Sequence, residues 1–351
     1  MDSTKKLKIC IVRLSAIGDV CLMIPTVKAL QTQYPQATIT WIISNPAYEL
    51  VKHISDIEFI LIEKPRFIRD YIKLYKQFND YEFDIVLATQ ANMRINLLYP
   101  ALKAPRKIGF DRQRARDLQW LFTNERIEFK DEHLLESFLS FAYKINTRLA
   151  DLDWEIPLDK SDEDKADELL PPTTTNLSIA INPITSKNER NWPISRYTEL
   201  INKITELFDY QIILTGGFDI SEQQQIIEII KQVHRPEKVI NSAGTLSLTQ
   251  LAAVLSRVNC LISPDTAAVH IASAMKTDVI GLYAVAPSKL SGPYFSKQLT
   301  IDKFPQAVKQ FLKQDPQHIP WKTRVHDSRA MQLISVGEVM DKLTKHLESG
   351  E

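Results

Sequence analysis

Two short stretches of this chain place a carboxylate beside the start of a helix. In the first, an apolar run over 7–14 leads into Ser15-Ala-Ile-Gly18-Asp19. The second reads Cys260-Leu-Ile-Ser-Pro-Asp265-Thr266-Ala267-Ala-Val-His270. A helix N-terminus offers unbonded N–H groups and partial positive charge, which suits a diphosphate. Thr266, Ala267 and Ala268 leave those amides uncrowded, and His270 follows about one turn later. Asp19 reads either as a helix cap or as a general base that takes a hydroxyl proton. Asp265 and His270 read either as cap and half-buried core histidine or as ligand contacts.

Further candidates follow other strand ends. Thr185, Ser186 and Arg190 come after the run 177–182; a guanidinium stays charged and binds two phosphate oxygens, whereas the hydroxyls alone serve equally well as loop caps. Trp192-Pro193 reads as a support for that loop. Gly217 and Asp219 end the run 211–215, where a nucleoside lies in doubly wound folds; Asp219 suits ribose hydroxyls or the helix start at 221. Leu246, after Gly244-Thr245, suits either an adenine or the core. The segment 103–116 carries six basic residues against one acid. Such a run is either a solvated loop or an anion site.

The elements that must position these residues alternate along the chain. Strands are expected at 7–14, 38–44, 58–63 and 84–89, with helices over 20–34, 47–53 and 67–78 between them. A second series has strands at 177–182, 211–215, 238–241, 259–263 and 278–284, and helices over 196–208, 221–234, 248–257 and 266–275. Continuous apolar strands alternating with helices imply parallel sheets covered on both faces. Length, 351 residues, fits two domains. The expected divisions are 1–160, a crossing at 161–176 that ends proline-rich, 177–334, and a terminal helix within 335–351 that packs back on the first domain. Neither half carries the Gly-x-Gly-x-x-Gly fingerprint or a P-loop.

Bulk properties exclude several classes. Formal net charge is zero and the basic segment lacks interleaved aromatics, so nucleic acid is not an expected partner. Three cysteines, Cys10, Cys21 and Cys260, sit far apart in apolar contexts, with no metal-ligand spacing and no disulfide framework. No signal peptide or membrane-spanning run is read, and the expected location is cytoplasmic.

The motifs, taken in order, resemble glycosyltransferase family 9, the bacterial ADP-heptose:lipopolysaccharide heptosyltransferases. The matching residues are Arg13-Leu-Ser-Ala-Ile-Gly-Asp-Val20, Ile108-Gly-Phe-Asp-Arg-Gln-Arg-Ala-Arg-Asp117, His133-Leu-Leu-Glu136, the run Asn182 to Pro193, and Leu214-Thr-Gly-Gly217. Ala243-Gly244-Thr-Leu-Ser-Leu248, Ser263 to His270, and Gly281-Leu-Tyr with Ser291-Gly-Pro-Tyr294 complete the set. The resemblance implies an α/β GT-B fold, two Rossmann-like domains facing each other across a cleft. The N-terminal domain would bind the acceptor and the C-terminal domain the nucleotide sugar. It implies inverting transfer of heptose from an ADP-sugar to a lipopolysaccharide inner-core acceptor, either Kdo-lipid A or heptosyl-Kdo, with no metal and no cofactor. Asp19 would be the base and Asp265 would hold sugar hydroxyls. His270 with the amides of Thr266 and Ala267 would bind the diphosphate. Thr185, Ser186, Arg190, Gly217, Asp219 and Leu246 would complete the donor site. Arg66, Arg69, Arg112 and Arg116 would meet the acceptor's phosphates and carboxylates, and the enzyme would touch the inner face of the cytoplasmic membrane peripherally. One position departs: where the family usually has Asp-Thr-Gly, this chain has Ala267, which leaves room for a different donor sugar. A non-catalytic two-domain ligand-binding protein is the alternative from another class.

Overall fold

The computed structural model describes residues 6–171 and 177–349. The chain divides into two units, Met1–Pro157 and Leu158–Glu351. The first contains β1 (Lys8–Val12), β2 (Thr38–Ile43), β3 (Glu58–Leu61), β4 (Ile85–Leu87), β5 (Arg106–Gly109) and β6 (Glu125–Arg126). Their order is β3-β2-β1-β4-β5-β6, every pair parallel. This is a doubly wound sheet, which opens a crevice at the carboxyl ends of β1 and β4, where the winding direction reverses. Ile9, Cys10, Ile11 and Val12 are fully buried because helices cover both faces. Those helices are α1 (Ile17–Gln33), α2 (Asn45–Val51), α3 (Ile68–Gln77), the single turn α4 (Met93–Asn96) and α5 (Leu134–Tyr143).

Helix α1 packs against α2 and α5 and carries Pro25 in its interior. Proline lacks the N–H that would reach back four residues, so the Cys21 carbonyl loses its helical partner. The indole Nε1 of Trp154 donates to that carbonyl at 3.0 Å and removes the deficit. Trp154 is 3% exposed, so the bond is made in the core.

The second unit begins with α6 (Lys160–Leu169) and builds its sheet from β7 (Ser178–Ile181), β8 (Gln211–Leu214), β9 (Val239–Asn241), β10 (Cys260–Pro264), β11 (Asp278–Tyr283) and β12 (Ile301–Asp302). Read from the β9 edge, the order is β9-β8-β7-β10-β11-β12, the same winding as the first sheet, again all parallel. Its other helices are α7 (Ile194–Leu207), α8 (Ile220–Gln232), α9 (Leu248–Leu255), α10 (Ala267–Ala274), α11 (Ser288–Ser291), α12 (Phe304–Ala307) and α13 (Val336–Ser349).

Two expectations about connections change. Residues 161–169, expected in the crossing, are helical: Asp159 caps α6 through the Asp162 amide. Asp162 in turn accepts from Thr249 Oγ1 at 2.8 Å, fixing α6 on α9. Polar composition suggested a linker, but the acids serve as a cap and a buried hydrogen bond. Residues 172–176 of the expected crossing lie outside the described residues. The terminal helix α13 packs on α7 and β11 within the second unit, burying Val339 and Leu343. All three cysteines are free and buried, and burial pushes each thiol well up from its ordinary value. No helix among the described residues is long and apolar enough to cross a membrane.

Candidate active site

In the first unit the chain leaves β1 at Arg13 and turns into α1, and side chains from neighbouring strand ends pin that turn. Trp41 Nε1 donates to the Arg13 carbonyl at 3.2 Å, and Ser44 Oγ donates to the Leu14 carbonyl at 2.5 Å. Gln90, just beyond β4, accepts from the Leu14 amide at 2.7 Å. Asp19 stands in the first turn of α1. Its Oδ2 accepts from the Ala16 amide at 3.4 Å and pairs with the Arg13 guanidinium. Oδ1 meets no protein donor among the described residues, and the side chain is 28% exposed. The cap and the chemistry therefore do not compete: one oxygen is held and the other is available.

Arg13 is the residue that sequence reasoning passed over. It is buried, donates also to the Thr89 carbonyl, and lies 5.0 Å from the Phe138 ring centroid. Burial pushes its guanidinium down to about 9; Tyr99 acts against that shift and Arg116 adds to it. At neutral pH it remains charged opposite Asp19. A single basic residue closing an apolar strand gives no sign in sequence that its side chain turns inward.

The basic segment is largely occupied by structure, which corrects the reading of 103–116 as one patch. Arg106 forms a forked pair with Glu125 at 2.6 and 2.9 Å, and Lys107 Nζ donates to the Tyr99 carbonyl at 2.8 Å. Lys103 donates to the Asn79 carbonyl. Arg114 is buried against Asp111, Ser137 and the Glu128 carbonyl. Arg112 and Arg116 remain exposed. The charge of Arg116 is felt at Arg13, which brings it to Asp19's end of the sheet. Lys64, also missed in sequence, belongs there too: partial burial lowers its pKa, with Arg94 and Arg13 adding to the effect. Arg66 and Arg69 are exposed at the start of α3, where Arg69 lies 5.3 Å from the Phe67 ring, and no bond links them or Arg112 to Asp19.

In the second unit the candidates gather at the carboxyl ends of β7 and β10, the equivalent reversal point. Asp265, just beyond β10, pairs through Oδ2 with Arg190 at 2.9 Å and accepts from Ser291 Oγ at 3.1 Å. Burial raises the Asp265 pKa, against the opposing pull of Arg190, Ser291 and Arg324. Arg190 Nε is buried with no acceptor among the described residues, so the guanidinium still has a donor to give. Thr266 is the N-cap residue of α10 but makes no side-chain cap bond; its hydroxyl lies 3.0 Å from Ser263 Oγ. The first amides of α10 are thus uncapped by side chains. Ala267, the first residue of that helix, has no positive φ, so the methyl in place of the family's glycine brings no backbone strain.

Other candidates are committed to local structure. Thr185 Oγ1 donates to the Lys187 carbonyl at 2.7 Å, a turn bond, while Ser186 is exposed. Asp219 caps α8 through the amides of Ser221 (2.8 Å) and Glu222 (3.3 Å), and Glu222 in turn accepts from the Gly217 amide at 3.1 Å. Leu246 is buried. Trp192 supports its loop as expected, donating to the Ile334 carbonyl at 3.0 Å.

His270 is 5% exposed, and burial pushes its pKa down from 6.5 to about 4. It is therefore neutral at physiological pH and offers hydrogen bonding, not charge. The unfolded chain binds this proton between about pH 6.5 and 4 while the folded chain does not. Stability should hence fall as pH drops through that window, by about 3 kcal/mol from this group. Urea midpoints measured from pH 4 to 7 should fall less steeply in His270→Asn; identical pH slopes would show that His270 contributes nothing.

Two doubly wound parallel sheets, each with its polar residues at the winding reversal, define a GT-B architecture. The family model described as glycosyltransferase family 9 (heptosyltransferase) matches residues 71–318, and the chain belongs to that family. It is 32% identical over 338 residues to the lipopolysaccharide core heptosyltransferase OpsX of Haemophilus influenzae, covering 96% of each. Among solved structures, a glycosyl transferase family 9 protein from Veillonella parvula superposes with a TM-score of 0.80 at 19% identity, covering 98% of each chain. E. coli heptosyltransferase WaaC with ADP gives 0.70 at 18% identity, covering 97% of this chain and 100% of that one.

Proposed function

We propose that this glycosyltransferase moves heptose from ADP-heptose onto a phosphorylated, Kdo-bearing lipopolysaccharide core acceptor, with inversion and without a metal or cofactor. The observation that carries the reading is the Asp19 carboxylate in the first turn of α1, one oxygen fixed by Arg13 and the other facing no protein donor among the described residues. In this reading Oδ1 takes the acceptor hydroxyl's proton as its oxygen attacks the anomeric carbon. The bond to the diphosphate breaks on the opposite side, and ADP leaves with the charge. Arg190 and the open amides of α10 stabilise that charge, with neutral His270 as a further donor. Asp265, held by Arg190 and Ser291, receives sugar hydroxyls, and Thr185, Ser186, Gly217, Asp219 and Leu246 line the rest of the nucleotide's path. Arg116, with Arg66, Arg69 and Arg112, receives acceptor anions. The acceptor's lipid brings the enzyme to the cytoplasmic membrane face. OpsX and WaaC, whose names specify heptosyl transfer, support the donor. Ala267 supports a second reading in which the sugar differs.

Incubation with ADP-heptose and Kdo-lipid A in EDTA should give a product heavier by one heptose, with the anomeric configuration inverted by NMR. A retained configuration, or product only with an added metal, would overturn the mechanism. A product formed only from another ADP-sugar would favour the second reading. Arg190→Ala should weaken ADP binding by roughly 10- to 100-fold, since a hydrogen bond to a charged group contributes about 1.5–3 kcal/mol. Calorimetry that finds unchanged ADP affinity in the folded variant would take Arg190 out of the donor site.

A further inference from the structure

Helix α3 is amphipathic the wrong way round for a helix of a soluble domain. Of its ten residues only Leu74 is buried. Its apolar residues Ile68, Ile72 and Tyr75, spaced to share one face, are 81%, 52% and 42% exposed, and Phe67 just before them is 59% exposed. One position further on, with the same spacing, run Arg69, Lys73 and Lys76, so a basic stripe lies directly beside the apolar one. Residues 64–76 contain five basic side chains and one acid, Asp70, which is taken up by the Arg66 and Phe67 amides.

Further exposed apolar residues stand on the elements tied to α3. Tyr71 and Tyr75 hydroxyls donate to the Arg94 and Leu97 carbonyls, tying α3 to α4. The Met93 amide donates to Asp117 at 2.8 Å, tying α4 to the turn at 117–121. On these elements Met93, Leu97, Trp120 and Leu121 are exposed by 41%, 39%, 43% and 65%. An apolar face this broad, flanked by cations, carries an unfavourable hydration cost unless something covers it.

We propose that this face of α3, α4 and the 117–121 turn is a docking surface for an anionic lipid bilayer. An amphipathic helix lying in the interface buries its apolar side among acyl chains while its cations meet the headgroups, and an indole prefers that depth. Charge complementarity favours this occupant over a second copy of the chain, because a symmetric dimer would set the Arg69–Lys73–Lys76 stripe against itself. The inference rests on the lipid-anchored acceptor proposed above only for its purpose; the surface stands on its own geometry.

The test is co-sedimentation with phosphatidylcholine vesicles, with and without 30% phosphatidylglycerol. The wild-type protein should pellet with the anionic vesicles and be released by high salt. Ile68→Asp with Ile72→Asp should lose that binding, and Lys73→Glu with Lys76→Glu should weaken it by at least about ten-fold. All four positions are exposed, so melting temperatures should hold. Turnover of a deacylated, water-soluble acceptor should be unchanged in both variants, which separates failure of docking from failure of the transfer reading. Wild-type protein that ignores anionic vesicles, variants that bind them like wild type, or a concentration-dependent dimer abolished by Ile68→Asp would each overturn the proposal.

Discussion

Asp19→Asn should lower kcat by about 10²–10⁴, the usual worth of general-base assistance, or roughly 3–5 kcal/mol of barrier. Asparagine keeps the shape and can still accept from the Ala16 amide, but it cannot carry away the acceptor's proton. ADP affinity should not change, because the nucleotide candidates lie in the other unit. Melting temperature should fall as well. The structure requires this, since Asp19 is the carboxylate paired with the buried Arg13 guanidinium. Rates must therefore be expressed per folded molecule, at a temperature well below the transition. Near-normal kcat under those conditions would assign the base elsewhere and leave Asp19 as a cap and ion-pair partner.

Arg13→Met should produce the largest loss of stability. Removing the guanidinium leaves the part-buried Asp19 carboxylate and the buried Thr89 carbonyl without their donor, at a cost of about 1–3 kcal/mol. Asp19 loses its counterion, the Thr89 carbonyl its donor and Phe138 its cation. The melting temperature should drop by roughly 2–12 °C for a unit of this size. Adding Asp19→Asn to Arg13→Met should cost little more or restore part of the loss, because the stranded charge disappears. Strictly additive losses in that double-mutant cycle would mean the two side chains do not depend on each other.

The parts legible in sequence were those set by continuous burial. Strands such as β1, β7 and β10 stand out because covering both sheet faces demands an unbroken apolar run. The strands β5, β6 and β12 were not read: β6 and β12 are two-residue strands at sheet edges, too short to carry a pattern, and the four-residue β5 lies inside the basic segment. Asp265 and Arg190 were visible as types at strand ends, but their pairing joins residues 75 apart in sequence. Arg13 and Arg114 show the deeper limit. Composition counts an arginine as surface charge, whereas both turn inward to partners that only the fold supplies.

The burial of all three thiols gives the chain an internal clock. Cys10 and Cys21 lie in the first unit and Cys260 in the second, each shut from solvent and held protonated. A thiol in that state reacts with an alkylating reagent only when its surroundings open. Pulsed alkylation followed by peptide mass analysis thus times the opening of each half separately, with no residue changed. A protein engineered with one surface cysteine would meanwhile carry a single fast-reacting thiol, ready for a fluorophore.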